Sequence, residues 1–433
     1  MQKILDLHIH SKYSRACSKQ LELEQIARTC EIKGVDIIAT GDFTFPKWQQ
    51  ALALTLSQRE RGLYILKDGS SNVRFILSTE LALIYKQGEG HARRLHLVVL
   101  APNLEAVAKF NKYLEDHDYN IKSDGRPILG MSAIELCKIL FNIDEKFMVI
   151  PAHIWTPWFA VFGSKSGFDS MAECFGEFTK NIYAYETGLS SDPAMNWRVS
   201  ELDNLTLLSN SDAHSLPNIA REANVFEMSE VSYDVIYDII KNSSPKKRAQ
   251  NKNSKFGELL YTIEFYPEEG MYHYDGHRDC QVRLAPAETK KHQGICPKCK
   301  KKLTVGVDYR VNELADRELG FKPKGAVDFK KLVELDKIIA ESMDIKSRSS
   351  QKVQIEYQKL IKKIGTNELD ILINQPLDAL AKATLLEVVE GIKRVREEKL
   401  IIEPGFDGQY GTIKIFNPEE KASNKQAKLP LIL

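Results

Sequence analysis

The sequence predicts an α/β protein whose first half holds a mainly parallel sheet, followed by a small metal-knuckle module and a helical C-terminal region. Three observations point there. Short apolar runs of β type recur between residues 3 and 215, separated by helical or loop stretches. Two short pairs of soft ligands flank a loop between residues 277 and 299. Beyond about residue 330, apolar positions recur at three- and four-residue spacing. The expected division is a sheet-bearing region over 1–240, a linker and zinc-binding module over 241–330, a helical region over 331–416 and a tail over 417–433.

The first run, ILDLHIH, alternates like a half-buried strand, so Asp6, His8 and His10 should share a face. Two imidazoles at this spacing lie about 6 to 7 Å apart, close enough to share a metal; a polar strand end is the competing explanation. The later runs are VDIIATGDF, RFILSTEL, LHLVVLAP, KFMVIPAHIW, NIYAYETG and LTLLSNSDAHS. Most carry a metal-competent side chain where the strand should end: Asp42, Glu80, His153, Glu186, then Asp212 and His214. His96 sits near the start of its run instead. In a β/α barrel the carboxyl ends of the strands converge on one face, where active sites are built.

Each residue has a bland alternative. Asp42 after ATG can cap a helix, Glu80 can pair with a neighbouring Arg, and Asp212 in SNSDAHS can close an Asx-turn. Independent turns have no reason to put imidazole or carboxylate at successive strand ends, however, so the set points to a multinuclear site. Mixed nitrogen and oxygen donors suit zinc, manganese or iron and permit magnesium at the carboxylate-rich end. Such clusters acidify water and clamp a phosphate during in-line displacement.

These residues carry a resemblance. DLHIHSKYS, the glutamate of STEL, the histidine of PAHIW and the Asp-x-His of SNSDAHS resemble the motifs of the PHP (polymerase and histidinol phosphatase) superfamily. GDFTFPKW, PAHIWTPWF, ETGLSSDP and the cysteine-rich segment are similar, more narrowly, to endonuclease Q, a family of DNA repair nucleases. The resemblance implies a distorted seven-stranded β/α barrel around a multinuclear metal site. It puts His8, His10, Glu80, His153, Asp212 and His214 in that site, with His96 and Asp42 as additions; Glu186 joins on strand-end position. There are departures. Phe43 and Phe45 stand where a second-motif histidine would serve, and no aspartate follows Ser14, its neighbourhood being filled by Arg15, Ala16 and Cys17. Tyr13 and Arg15, beyond the first motif, and Trp155, Trp158 and Phe159, after His153, are candidate substrate contacts, with core packing the alternative for the tryptophans.

In GHRDCQVRLAPAETKKHQGICPKCKKKL, His277, Cys280, Cys296 and Cys299 form two knuckles able to close a tetrahedron around one structural zinc. His273 and His292 are nearby substitutes, and a redox dithiol is the competing reading. Cys30, Cys137 and Cys174 read as ordinary buried residues.

The segments FKKLVELDKIIAESM and LDALAKATLLEVVEGIKRVREEK read as helices. Through the family resemblance they imply a helix-hairpin-helix-like DNA-binding unit, although the hairpin glycines are missing around Ala383 to Leu386; a plain helical bundle is the alternative. In the last residues, Gln426, Leu429, Leu431 and Ile432 resemble a sliding-clamp ligand with an aliphatic residue in the aromatic position.

With 43% hydrophobic and 27% charged content over 433 residues, the chain is long enough and apolar enough for more than one globular domain. No apolar segment approaches the roughly 20 residues needed to cross a bilayer, and the chain runs into a strand without a secretory leader, so a cytoplasmic location is expected. Lys plus Arg numbers 60 against 59 for Asp plus Glu, so net charge announces no polyanionic partner. The basic runs KNSSPKKRAQNKNSK, TKKHQGICPKCKKK and GFKPKGAVDFKK can follow a phosphate backbone or simply be solvated. The function expected from the resemblance is a metal-dependent endonuclease that flips out deaminated bases (uracil, hypoxanthine, xanthine), with abasic sites as a further candidate substrate, cutting DNA 5′ of the lesion. A phosphoesterase acting on a small phosphomonoester and a non-catalytic DNA-binding scaffold are the rivals.

Overall fold

The computed structural model describes residues 1–87 and 90–417. The clamp-ligand residues Gln426, Leu429, Leu431 and Ile432 lie outside them. The fold is a mixed α/β arrangement of several sheets. One sheet has eight strands, in the spatial order Asp328–Lys331, Gly257–Glu264, Ala223–Met228, Gln2–Asp6, Ile37–Ala39, Arg74–Ile76, Leu63–Leu66 and Leu56–Glu60. A second has four, in the order Ile128–Leu129, Ser78–Gln87, His91–Leu100 and Met148–Pro151.

The expected mainly parallel sheet is corrected: parallel pairs are confined to a few junctions, and antiparallel ladders make up the rest. Gln2–Asp6 pairs parallel with Ile37–Ala39, which pairs parallel with Arg74–Ile76. Ser78–Gln87 and His91–Leu100, by contrast, form a long antiparallel ladder from Ser78 opposite Leu100 to Gln87 opposite His91. Apolar alternation reports burial and not direction, and here no helix separates the two strands, so they pair antiparallel.

The pairings nevertheless run in a circuit. Arg74–Ile76 leads directly into Ser78–Gln87; His91–Leu100 pairs with Met148–Pro151. The Ile154 N–H then donates to the Glu186 carbonyl at 3.2 Å, joining Ala184–Glu186, which pairs parallel with Thr206–Leu208. A parallel bridge between Ile9 and Ala213 returns to the first strand. Strand ends far apart in sequence are thereby brought to one place.

Helices cover this sheet system. Leu23–Lys33 buries Leu23, Ile26, Ala27 and Cys30 and ends at Gly34, whose φ of 95° is the left-handed conformation a helix stop needs. Gln351–Ile364 starts at Ser350, whose side chain accepts the Val353 N–H, and buries Val353, Tyr357 and Leu360. The helical stretch over 377–399 consists of two helices, Leu377–Ala381 and Leu386–Arg396, with Leu385 extended between them. The expected helix over 329–343 begins only at Leu335, because Asp328–Lys331 adds an edge strand. The buried side chains of this C-terminal region belong to the same contiguous apolar core as the sheets. Around the cysteine knuckles a separate small core consists of Val282, Cys296 and Leu303. Among the described residues no helix is long and apolar enough to cross a membrane.

Candidate metal centre and adjoining cleft

The first strand ends at Asp6, so His8 and His10 lie just past it, with ring centroids 5.5 Å apart. Their buried surroundings come from the residues on either side, Leu5, Leu7 and Ile9, all in the core. Asp6 does not join them; it is buried and accepts the backbone N–H groups of Ser211 and Ala220, tying down the loop that carries Asp212.

Four side chains converge: His8, His10, Glu80 and Asp212 each offer a donor atom within 4.8 Å of the others. His10 Nε2 lies 3.0 Å from Asp212 Oδ1 and 3.3 Å from Glu80 Oε2. A second group shares Glu80: its Oε1 is 2.8 Å from His96 Nδ1 and 3.2 Å from His153 Nε2. His214 stands at the edge, its Nδ1 2.8 Å from the Asp212 carbonyl and its ring 4.6 Å from that of His10.

Asp42 and Glu186, expected among the ligands, sit behind the imidazoles. Asp42 Oδ1 is 3.2 Å from His10 Nδ1, while its Oδ2 accepts from the Ser11 N–H, the Ser11 hydroxyl and the Ser14 hydroxyl. Both Glu186 oxygens lie 3.1 Å from His8 Nδ1, and they also accept from Asn210 and the His153 N–H. A carboxylate on the far nitrogen fixes the tautomer and turns Nε2 toward the cluster, the arrangement that orients metal-binding histidines. His8 Nε2 is buried and without a hydrogen-bond partner among the described residues. An orphaned imidazole nitrogen facing two carboxylates fits a cation, and the donor set suits a divalent one.

Backbone strain is concentrated here. Asp42, His153 and Asp212 all have left-handed φ values, 49°, 30° and 45°. Asp tolerates this region better than most residues, and such strain persists where surrounding structure fixes it. Gly188 shows how tightly: a Cβ there would lie 2.3 Å from His153 Cβ.

Electrostatics reinforce the geometry. Burial alone would hold His8 low, but the carboxylates of Glu186 and Asp212 drive it well above the usual imidazole range; for His10, Asp212 and Asp42 do the same. Against a burial penalty of their own, the histidines hold Asp212, and His96 with Arg126 hold Glu80, far below the ordinary carboxylate range. His96 goes the other way, pushed down to about 4 by burial. Without a cation, the cluster is thus a set of compensating charges whose protons a cation would displace.

Beside the cluster opens a cleft of about 890 Å³, bounded by Tyr13, Arg15, His96, Arg126, Ile128 and Phe159 among others. Tyr13 stacks on Phe45 at 4.5 Å, Phe159 lies 4.5 Å from the His96 ring, and Arg15 is exposed. The tryptophans separate. Trp155 is fully buried and donates to Asn196 Oδ1 at 2.7 Å, so it packs the core; Trp158 is 38% exposed and meets Tyr272 edge-on. Arg126, which sequence reasoning missed, donates to Glu80 Oε2 at 2.9 Å. It stands in a loop without a strand-end pattern, and only its cationic type signalled it.

The second candidate site is local. His277, Cys280, Cys296 and Cys299 gather within 4.8 Å, with Cys299 Sγ 3.6 Å from His277 Nδ1. Backbone bonds from Cys296 N–H to the Lys301 carbonyl and from Lys300 N–H to the Cys296 carbonyl shape the second knuckle. His273 and His292 are not in the group.

Comparison with known proteins adds the following. Residues 334–399 match the family described as the MJ0043 C-terminal domain. The uncharacterized protein MJ0043 of Methanocaldococcus jannaschii is 34% identical over 268 residues, 61% of this chain; the match spans only 32% of that protein's length. A crystal structure of the lesion-specific endonuclease PfuEndoQ from Pyrococcus furiosus is 28% identical, covering 98% of this chain and 99% of that one, with a TM-score of 0.82. A crystal structure of endonuclease Q in complex with a 27-mer duplex substrate, with an abasic lesion at the active site, is 30% identical, covering 97% and 98%, again with a TM-score of 0.82.

Proposed function

The chain belongs to the endonuclease Q family, and from that premise we infer that it is a metal-dependent DNA repair endonuclease. Its substrates are duplexes carrying deaminated bases (uracil, hypoxanthine, xanthine) or abasic sites, and it hydrolyses the phosphodiester on the 5′ side of the lesion. One observation carries the reading: the His8, His10, Glu80 and Asp212 cluster opens beside a cleft in a chain that aligns nearly end to end with an endonuclease bound to a lesion duplex.

The pairing circuit supports the view of residues 1–240 as a distorted β/α barrel of the PHP type, with its metal site at the strand ends. His8, His10, Glu80 and Asp212 would hold one cation, and Glu80, His96 and His153 a second, drawn from Zn, Mn, Fe or Mg. Bound there, such cations offset the charge of the phosphoryl oxygens and acidify water. The chain's own groups do the rest. Asp42 and Glu186 hold the two N-terminal imidazoles in one tautomer, and Asp212, kept ionised, is available as ligand or base. Tyr13 and Phe159 offer aromatic faces to a flipped nucleotide, and Arg15 reaches its backbone. The knuckle at His277, Cys280, Cys296 and Cys299 takes a structural zinc, the helices over 331–416 contact DNA backbone, and the tail from 417 engages a sliding clamp.

A duplex bearing one deoxyuridine, deoxyinosine or abasic site, incubated with and without manganese, tests this. A single metal-dependent nick 5′ of the lesion is expected; no nick at any lesion, with turnover of a phosphomonoester, overturns it in favour of a small-molecule phosphoesterase.

A further inference from the structure

Arg126 is positioned with unusual care for a loop residue. The Gly125 N–H donates to the Tyr13 carbonyl, and the Pro127 carbonyl accepts from Ala82 N–H, so the residue is pinned on both sides. Its own N–H donates to Asp124 Oδ1 at 3.0 Å. A Cβ at Gly125 would lie 2.4 Å from Asp42 Oδ2, so only glycine lets this loop close over the carboxylate that orients His10.

The result is a guanidinium at the cluster's rim. Its Nη1 donates to Glu80 Oε2, and the Arg126 side chain keeps 24% exposure. Nε and Nη2 make no hydrogen bond among the described residues, in a group that presents five donors. Glu80 engages Arg126 through Nη1 alone, while His10, His96 and His153 also face its two oxygens. Nor does the cleft wall supply a competing partner. Among the described residues its sole acidic lining residue is Asp124, whose Oδ1 accepts the N–H groups of Arg15 and Arg126. A planar fork with spare donors, next to the cluster, fits a phosphate oxygen.

We propose that Arg126 is a catalytic residue that binds a non-bridging oxygen of the scissile phosphate through its unengaged N–H groups while Nη1 stays on Glu80. This rests on the nuclease reading above. Developing negative charge on that oxygen then meets a donor already fixed in place, which matters more in the transition state than in the ground state.

Arg126→Gln and Arg126→Lys are compared with the wild-type protein on a duplex carrying one abasic site, with the metal content of each protein measured. Arg126→Gln should lower kcat by roughly 10²- to 10³-fold with KM little changed and metal content intact. Arg126→Lys, keeping the charge without the fork, should recover part of that loss. Titration of the manganese-loaded proteins with inorganic phosphate reads the same contact without any nicking: Arg126→Gln should bind at least tenfold more weakly. Failure of the wild-type protein to nick, with phosphate binding still dependent on Arg126, sinks the nuclease reading and leaves the phosphate contact standing. Unchanged phosphate affinity in Arg126→Gln, or a parallel loss of metal and activity in both variants, overturns the proposal.

Discussion

Two groups of metal-competent side chains in this molecule are built in opposite ways. The cluster at His8, His10, Glu80 and Asp212 draws its members from across the chain, His10 and Asp212 being 202 residues apart; Glu80 stands in a paired strand, and carboxylates stand behind the rings of His8 and His10. The knuckle at His277, Cys280, Cys296 and Cys299 has its outermost ligands only 22 residues apart and rests on a core of three buried side chains. The difference teaches where folding energy comes from. The first cluster is made by the fold, at a cost in buried charge and strained backbone; the second, too small to bury much apolar surface, would depend on a bound cation to hold it.

The largest expected effect tests the first half of that contrast. Asp212→Asn keeps the size of the side chain, and Asn accepts a left-handed φ, so the turn survives while the charge facing His8 and His10 goes. Nicking of a lesion duplex should fall by roughly 10³-fold or more, with an unchanged circular dichroism spectrum. Unfolding of the variant would show that the cluster is needed to build the sheet, and the contrast would fail.

The knuckle should respond in the reverse sense. Cys296→Ser replaces a ligand that is also part of the small core, and should cost one zinc atom by elemental analysis. Apparent binding energies of structural zinc are about 10 kcal/mol or more, far beyond what three buried side chains supply, so this segment should become open to protease. Nicks confined to residues 272–306, with the main unfolding transition moved by less than about 1 kcal/mol, would match the separate core. Global unfolding would not.

What the sequence made legible follows the same line. His8, His10, Glu80 and Asp212 could be read because repeated imidazole and carboxylate at strand ends have no local explanation, and the knuckle because its ligands are close in sequence. Residue type and strand-end position group Asp42 and Glu186 with the ligands, because neither tells which side of an imidazole a carboxylate takes. Arg126 was illegible for a related reason: what places it is a glycine contact with Asp42 across the fold. Strand direction was lost as well, since apolar alternation in RFILSTEL and LHLVVLAP is the same in either direction.

If the main body needs no metal to hold together, ion pairs and core packing must fasten its C-terminal helices, and pH should show it. Glu334 Oε1 and Oε2 lie 3.0 Å from Arg348 Nη1 and Lys337 Nζ, respectively. Burial would raise its carboxyl, but Lys337 and Arg348 pull it from 4.5 down to about 2. A folded value below the unfolded one means stability fully present above about pH 4.5 and lost as pH falls toward 2, about 3 kcal/mol in all. Urea unfolding of metal-free wild-type and Glu334→Gln proteins should therefore show a stability gap that narrows across that window. A constant gap would place the fastening elsewhere.

The smallest effect distinguishes scaffold from ligand surface within one loop. Trp155→Phe keeps an aromatic ring in the core but deletes the indole N–H, leaving Asn196 Oδ1 without that donor. A buried acceptor stripped of its partner costs about 1 to 3 kcal/mol, so the melting temperature should drop by a few degrees while affinity for a lesion duplex stays within about twofold. If binding weakened tenfold at an unchanged melting temperature, the wall beside the cluster would not be the rigid scaffold that its burial implies. The loop carrying His153 and Phe159 would then rearrange around DNA, and the contrast between a cluster made by the fold and a knuckle made by its metal would hold only for the free protein.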